Sequence, residues 1–282
     1  MSEALDEAAK NLAAHGIDDA RLEAELLLRH LLGLDRVGLY MSLDTRLTAE
    51  QTSAYSAVIQ RRISHEPAAY ITGHKEFYGL EFQVARPVLI PRPETELLVE
   101  KAIELATTVF THSCLIADVG TGCGAVAIAL GTNLFHAKLY AIDVCGAALE
   151  IARSNCHRHG VSDRVTLLQG DLLDPLPEPV HLIIANLPYV RNSELVKLSP
   201  EISRFEPLLA LSGGADGLEV MERLVSQAER NLLPGGVILL EIGHDQGQAA
   251  CELARKHLPK SKISITTDLG GLDRVVSILT SC

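Results

Sequence analysis

Short apolar runs alternate with helical patterns from residue 115 onward, and this alternation limits the fold more than any other feature of the sequence. The pattern predicts strands at 115–119, 139–142, 165–168, 181–185 and 236–242, and helices from 125, over 147–159 and over 217–232. Such alternation is typical of a parallel sheet covered by helices on both faces. Segments 262–266 and 274–279 have no helix between them, so we expect them to pair antiparallel at one end of the sheet. Ligands of such sheets bind at the carboxyl ends of the strands.

The sequence before this region divides into two parts. Residues 1–66 are predicted to form a small helical bundle, with apolar positions at helical spacing at Leu22, Leu26 and Leu32. Thr48 and Gln51 have the spacing of a capping box at the start of the last of these helices. Residues 67–93 are predicted to be a linking β-hairpin that turns near Gly79. A helix over 94–110 then opens the main domain, which we assign to residues 94–282.

Composition and charge exclude several classes of protein. Hydrophobic residues make up 47% and charged residues 22%, which is the balance of a soluble globular protein. No apolar run approaches the roughly 20 residues needed to span a membrane, and the N-terminus lacks the pattern of a secretory signal, so we expect a cytoplasmic protein. The net charge of -11 disfavours a stable nucleic acid partner.

Cysteine and histidine spacing give no support for a metal site. The six cysteines include no CxxC pair and are predicted to be small buried apolar residues, and the histidines form no HExxH motif. We therefore expect no metal.

A glycine-rich turn follows the first predicted strand of the sheet, in the order Gly120-Thr121-Gly122-Cys123-Gly124. Residues without a Cβ let the backbone approach a ligand closely and direct N–H groups at it. Asp143 ends the next strand about twenty residues after the glycines, a spacing at which a carboxylate accepts hydrogen bonds from ribose hydroxyls. Asp171 and Leu172 follow the third strand, where they are predicted to flank an adenine ring. Together these features predict a cofactor of the adenosine type.

The glycine motif alone leaves a second cofactor class open. Gly120, Gly122 and Ala125 also satisfy the GxGxxA form that binds nicotinamide or flavin nucleotides. The segment after the fourth strand distinguishes a methyl donor of the adenosine type from a nicotinamide or flavin nucleotide.

That segment reads Asn186-Leu187-Pro188-Tyr189 and lies where a ligand is expected. An amide or aromatic amine nitrogen is planar and weakly nucleophilic, so it needs two acceptors for its N–H groups before it attacks the sulfonium methyl of S-adenosylmethionine. The Asn186 side-chain oxygen and the Leu187 carbonyl are predicted to be these acceptors. Pro188 would stiffen the turn, and Tyr189 would offer a flat face to a planar group.

Several segments together resemble the PrmC/HemK family of peptide chain release factor N5-glutamine methyltransferases over residues 67–280. They are Tyr70-Ile71-Thr72-Gly73, Glu76-Phe77-Tyr78, Leu89-Ile90-Pro91-Arg92-Pro93-Glu94-Thr95-Glu96, Asp118 to Gly124, Asn186 to Tyr189, and Arg204-Phe205-Glu206-Pro207. Neither a generic methyltransferase nor the dinucleotide hypothesis requires the segment from Ile90 to Glu96. The helical N-terminal part matches in type more than in detail.

The resemblance implies a class I S-adenosylmethionine-dependent methyltransferase, Rossmann-like, with a mostly parallel seven-stranded sheet. It implies that Gly120 to Gly124, Asp143, Leu172 and Asn186 contact S-adenosylmethionine, which leaves as S-adenosylhomocysteine. Asn186 to Tyr189 would form the catalytic and substrate-binding turn for the glutamine of the Gly-Gly-Gln loop in class 1 release factors. On this basis the protein supports translation termination, residues 1–66 recognise the release factor, and the enzyme is expected to be a monomer.

One position departs from the family pattern, because Leu187 replaces the first proline of Asn-Pro-Pro-Tyr. The role assigned there is a backbone carbonyl, so we expect activity to survive.

The main alternative function is a nucleic acid adenine N6-methyltransferase, which uses a similar motif on a flipped base. The acidic helical part and the net negative charge argue against that alternative. A non-catalytic binding protein of the same fold is disfavoured by the intact set of glycines, Asp143 and Asn186.

Overall fold

The computed structural model describes residues 1–111 and 113–281, and these residues form two compact units. The first contains Met1–His74 together with Ser199–Phe205, and the second contains Lys75–Leu198 and the chain from Glu206 onward.

In chain order the helices are α1 (Ser2–Ala14), α2 (Ala20–Leu32), α3 (Arg36–Met41), α4 (Ala49–Ile63), α5 (Ala68–Thr72), α6 (Glu96–Thr108), α7 (Ala125–Asn133), α8 (Gly146–Arg158), α9 (Pro200–Phe205), α10 (Glu219–Asn231) and α11 (Gly247–His257). The strands are β1 (His74–Phe77), β2 (Leu80–Gln83), β3 (Cys114–Val119), β4 (Ala137–Asp143), β5 (Val165–Gln169), β6 (Val180–Ala185), β7 (Leu232–Glu241), β8 (Lys262–Thr267) and β9 (Asp273–Leu279). Short 3₁₀ turns lie at Pro93–Thr95, Leu195–Lys197 and Leu208–Ala210.

The first unit is helical, as predicted, and the leucines of α2 differ in their burial. Leu22 and Leu26 are 55% and 39% exposed, whereas Leu27 and Leu28 are fully buried. Apolar residues occur on both sides of this helix, so the spacing of its leucines alone does not fix which side meets the core. The capping box of α4 is confirmed, because the Gln51 N–H donates to Thr48 Oγ1 and the Thr48 N–H donates to Gln51 Oε1.

The region predicted to be a linking hairpin begins with a short helix, α5, which belongs to the first unit. β1 and β2 then form a two-stranded sheet whose turn is made by Tyr78 and Gly79, both with positive φ. Positive φ at both turn positions is the pattern of a type I′ hairpin. β2 packs in the second unit, where Phe82 is fully buried and the Gln83 backbone bonds to Asn155.

The second unit contains a seven-stranded sheet in the order β5-β4-β3-β6-β7-β9-β8. The first five strands in this order run parallel, and β8 and β9 pair antiparallel with each other, as the sequence predicted. β9 also pairs antiparallel with β7, which the sequence did not predict. β7 starts at Leu232, four residues before the prediction, because Leu232 pairs with Val180 ahead of a register shift. The sequence reading also missed α9 and α11.

The register aligns the carboxyl ends of the central strands. Val119 at the end of β3 pairs with Ile142 on β4 and with Ala185 on β6, while Ala185 also pairs with Leu240 on β7. The residues that follow these positions therefore meet at one edge of the sheet, which is the edge where ligands bind in this architecture.

None of the described helices combines the length and apolar character needed to cross a membrane. Within residues 1–111 and 113–281, no cluster of three or more histidine, cysteine, aspartate or glutamate side chains could hold a metal ion. Of the cysteines predicted to be buried, Cys145 is only half-buried, four others are buried, and Cys282 lies outside the described residues.

Candidate active site

A cavity of about 610 Å³ opens at the carboxyl ends of β3, β4 and β6 in the second unit. Its wall includes most of the residues singled out from the sequence: Gly120, Thr121, Gly122, Cys123, Asp143, Asp171, Leu172, Asn186, Leu187 and Pro188. Two residues with predicted ligand contacts, Gly124 and Tyr189, are absent from its described lining.

Asp118, a buried carboxyl near the end of β3, stabilises the glycine-rich turn through hydrogen bonds. Its Oδ2 accepts from Thr121 Oγ1 at 2.6 Å and from the Ala127 N–H at 3.1 Å, which ties the turn to the start of α7. Burial raises the pKa of Asp118 to about 6, although these two hydrogen bonds lower it. Asp118 thus shapes the turn as an internal anchor.

The prediction that this turn directs its N–H groups at the ligand was wrong for four of its five residues. The Gly120 and Thr121 N–H groups both donate to the Ile142 carbonyl at 2.9 Å, and the Gly124 N–H donates to the Thr121 carbonyl at 2.8 Å. The Gly122 N–H donates to Asp143 Oδ2 at 2.8 Å. The end of β4 and Thr121 supply the acceptors for these four N–H groups, so these residues contribute shape and close approach instead of donors.

Asp143 lies at the cavity wall and is oriented by the backbone. Besides the bond from Gly122, its Oδ1 accepts from the Cys145 N–H at 2.9 Å. A carboxylate offers about four acceptor positions, so both oxygens can still accept from hydroxyl groups of a ligand.

Gly124 has a packing role. Its φ of +85° lies in the left-handed region, and an added Cβ would come within 2.9 Å of Ile128 Cδ1 and 3.3 Å of Ala152 Cβ. The glycine therefore allows the start of α7 to approach α8 closely.

Asp171 and Leu172 line the cavity in different ways. Asp171 is exposed and pairs with Arg223 of α10, so its carboxylate is oriented by that ion pair. Leu172 is buried with a φ of +51°, a backbone conformation that residues with a Cβ rarely adopt. Such strain is commonly found at binding sites, and no local sequence pattern predicts it.

The turn after β6 brings Asn186, Leu187 and Pro188 to the wall. Asn186 Nδ2 donates to Thr95 Oγ1 at 3.0 Å. The Leu187 side chain is buried, and an added Cβ on Gly120 would lie 3.4 Å from its Cδ2. A leucine at this position therefore packs between the turn and the core.

Tyr189 packs behind the turn, with its carbonyl accepting from Gln246 Nε2 at 3.0 Å. Burial raises the pKa of its phenol to about 12. The flat face predicted for the substrate is thus missing from the cavity wall that the described residues form.

Sequence reasoning assigned no role to several residues that shape this site. Arg92 and Thr95 line the cavity, and Arg92 forms an ion pair with buried Glu206 of the Arg204 to Pro207 segment. Glu241, at the end of β7, is a buried carboxyl beside Thr95 and Asn186. Arg92 and Thr95 lie in the segment from Ile90 to Glu96 that resembles the family, so the sequence could have indicated them. The ion pair between Arg92 and Glu206 follows from no local sequence pattern.

The fold is shared with solved methyltransferases. A methyltransferase from Pyrococcus furiosus is similar with a TM-score of 0.54 and 18% identity, covering 80% of this chain and 100% of that chain. The hMettl16 catalytic domain, solved in complex with the MAT2A 3'UTR hairpin 6, has a TM-score of 0.58 and 16% identity over 78% of this chain and 84% of that chain. The sheet order and the cavity at its strand ends define a class I methyltransferase.

Two family models match, the PrmC N-terminal domain over residues 3–73 and a methyltransferase domain over residues 116–205. A release factor glutamine methyltransferase from Moorella thermoacetica is 42% identical over 97% of this chain and 96% of the relative. Another from Geobacter sulfurreducens is 40% identical over 94% of this chain and 91% of the relative. The chain belongs to the PrmC/HemK family of release factor glutamine methyltransferases.

Proposed function

We propose that this enzyme transfers the methyl group of S-adenosylmethionine to the side-chain amide nitrogen of the glutamine in the Gly-Gly-Gln loop of class 1 release factors. The observation that carries the proposal is the position of Asp143 and Asn186 on the wall of one cavity, at the ends of strands that flank β3 on either side. A carboxylate suited to a ribose and an amide suited to an acceptor nitrogen thereby face the same space. The relatives that match almost the whole chain support the substrate.

The residues of the cavity fit an adenosine-type methyl donor. An added Cβ on Gly122 would meet nothing within 4 Å, so the turn leaves space for a ligand above it. Asp143 would accept from the ribose hydroxyls, and Leu172 would pack against the adenine while Asp171 accepts from its amino group. When bound, S-adenosylmethionine supplies a methyl group on a positively charged sulfur, and no metal is needed for that chemistry.

Asn186 and the Leu187 carbonyl would hold the two N–H groups of the glutamine amide. Their role is to polarise the nitrogen and aim it at the methyl carbon, and orientation of this kind can supply roughly 7 to 11 kcal/mol of barrier reduction in favourable cases. The new N–C bond forms as the C–S bond breaks, and the nitrogen releases one proton. Pro188 limits the motion of the turn that carries both acceptors.

The proposed contact with the release factor extends beyond the loop. The match to the PrmC N-terminal domain supports a substrate-recognition role for residues 1–66, which the structure folds into the first unit. A second contact would raise the affinity for intact release factor relative to a loop peptide. The proposed substrate acts at the ribosome, which agrees with the cytoplasmic location expected from the sequence.

The assignment is tested by incubating the enzyme with radiolabelled S-adenosylmethionine and separate fractions of purified release factor, duplex DNA and RNA. We expect label in the release factor, with a higher kcat/KM for the intact protein than for a Gly-Gly-Gln peptide. Label in nucleic acid alone would favour the adenine methyltransferase alternative. Absence of label in every fraction, despite measurable cofactor binding, would favour a non-catalytic binding protein.

A further inference from the structure

Glu241 ends β7 next to the residue that we propose to hold the acceptor nitrogen. Ala185 pairs with Leu240 in parallel register, so the next residues along each strand, Asn186 and Glu241, are neighbours at the edge of the sheet. Glu241 is only 3% exposed, and its Oε2 has no hydrogen-bond partner among the described residues. A buried carboxyl with an unmatched oxygen is costly, so its presence beside the cavity requires an explanation.

Thr95 connects this carboxyl to the cavity. Asn186 Nδ2 donates to Thr95 Oγ1 at 3.0 Å, and Thr95 is buried. The Thr95 hydroxyl and the Asn186 amide both lie near enough to the Glu241 carboxyl to lower its pKa. Three side chains from three different segments thus form one polar cluster.

The chemistry of the cluster favours one orientation of the Asn186 amide. An ionised carboxylate only accepts hydrogen bonds, so it attracts the hydroxyl proton of Thr95 and the N–H₂ group of Asn186. Thr95 Oγ1 then presents a lone pair to the same N–H₂ group. The Asn186 Oδ1 becomes the atom of this amide that accepts from a substrate N–H. Without the carboxylate, the hydroxyl could donate to Oδ1 instead, and the amide could turn over.

We propose that Glu241 is a positioning residue that fixes the Asn186 amide through Thr95, so that its oxygen serves the acceptor nitrogen. The catalytic consequence rests on the proposed function, whereas the orientation of the amide can be measured without a substrate.

The charges around Glu241 make this arrangement dependent on pH. Burial raises the pKa of Glu241 to about 7, although the nearby Thr95 hydroxyl lowers it. Glu94 raises this pKa further, while Arg274 and Asn186 lower it. The carboxyl therefore becomes charged as the pH rises through about 7, and below that value it can no longer act as an acceptor only.

Tyr189 also interacts with this carboxyl, but burial raises the pKa of its phenol to about 12. It stays neutral over the pH range of the experiment.

The direct test is NMR of the Asn186 side-chain amide in the full chain without substrate, with the signal assigned from its loss in Asn186→Ser. We expect its shift to titrate with a midpoint near the Glu241 pKa in the unmodified enzyme, and Glu241→Gln to remove that titration. Glu104→Gln, which changes an exposed carboxyl of α6, should leave the titration of the Asn186 signal unchanged. A signal that does not titrate, or one that titrates equally in Glu241→Gln, would overturn the proposal.

Kinetics with release factor give a second, independent readout. Thr95→Val removes the hydroxyl and should lower kcat about 10-fold or more while the cofactor Kd changes less than about twofold. Thr95→Ser keeps the hydroxyl and should retain kcat within about threefold and the rise of activity with pH. If Glu241→Gln does not fold, Thr95→Val and Thr95→Ser still test the proposal. Equal kcat values and equal Asn186 amide shifts in these two variants would contradict it. An unmodified enzyme that methylates no release factor would overturn the proposed function, while the amide titration would still test the orientation.

Discussion

Asn155 Nδ2 on α8 donates to the carbonyl of Cys123 in the glycine-rich turn, at 2.9 Å. The same side chain donates to the Gln83 carbonyl at 3.0 Å and accepts from the Gln83 N–H at 2.8 Å. Asn155 is fully buried, so one amide joins the hairpin, the helix and the turn at the cavity.

Replacing this amide with an apolar group of similar size should destabilise the turn. Asn155→Leu leaves three backbone groups without their partner, among them the Cys123 carbonyl in a buried bond, which should cost about 3 kcal/mol or more of unfolding free energy. Thermal denaturation should show a Tm lowered by about 5 to 10 °C, with weaker cofactor binding by calorimetry. Ser154→Ala removes an exposed hydrogen bond to the Gln83 side chain and serves as the matched control. Equal Tm values for both variants would show that Asn155 does not hold the turn.

Gly122 and Gly124 are predicted to respond differently to alanine. Gly124→Ala combines a left-handed backbone with a contact at 2.9 Å, and should lower the unfolding free energy by about 2 to 4 kcal/mol. Gly122→Ala meets open space and should lower it by about 1 kcal/mol, but the new methyl group projects into the site and should weaken cofactor binding. Chemical denaturation and calorimetry measure the two effects. The reverse ranking in stability would refute the packing role of Gly124.

Asp143→Ala should weaken S-adenosylmethionine binding by about 1 to 3 kcal/mol, because charge-assisted hydrogen bonds to the ribose are lost. The variant also removes the acceptor for the Gly122 N–H, so both effects act in the same direction. Calorimetry measures the affinity, and Asp163→Ala, which removes an exposed carboxylate beyond α8, is the control variant. Unchanged affinity would show that the ribose lies elsewhere, and binding of a nicotinamide nucleotide would revive the dinucleotide hypothesis.

Leu187→Pro restores the usual family residue and should keep kcat, because the proposed acceptor at this position is a backbone carbonyl. The leucine side chain is buried beside Gly120, so its loss should lower the Tm by a few degrees even if activity is retained. Parallel measurements of kcat and Tm separate the two roles. A large loss of kcat at an unchanged Tm would indicate that the turn depends on the leucine itself.

The periodic parts of the sequence were sufficient to predict the sheet. Strands such as β3 and β6 are mostly apolar, and their alternation with helical segments implies parallel pairing. The turn at Gly120 and the residues Asp143 and Asn186 could be placed at one edge because strand ends meet there. The buried side of α2 does not follow from its leucines, because they occur on both of its sides and only tertiary packing decides which of them are buried.

The contacts that orient the site could not be predicted, because they join residues far apart in the chain. Thr95 and Asn186 are separated by 91 positions, and Gln83 and Asn155 by 72. Neither pair has a spacing rule, since both follow from how the segments pack. The packing of Gly124 against α8 and the protein acceptors of the N–H groups in the glycine-rich turn could not be predicted for the same reason.

The central claim is that a release factor glutamine receives the methyl group, and mass spectrometry of the modified protein tests it most directly. Release factor incubated with enzyme and S-adenosylmethionine should gain one methyl group on the side-chain nitrogen of the glutamine in its Gly-Gly-Gln loop. Asn186→Ala should reduce the rate of this modification about 100-fold while changing cofactor affinity little, because it removes an acceptor that orients the nitrogen. A methyl group on any other residue, or unmodified release factor at an enzyme concentration that binds cofactor fully, would contradict the claim.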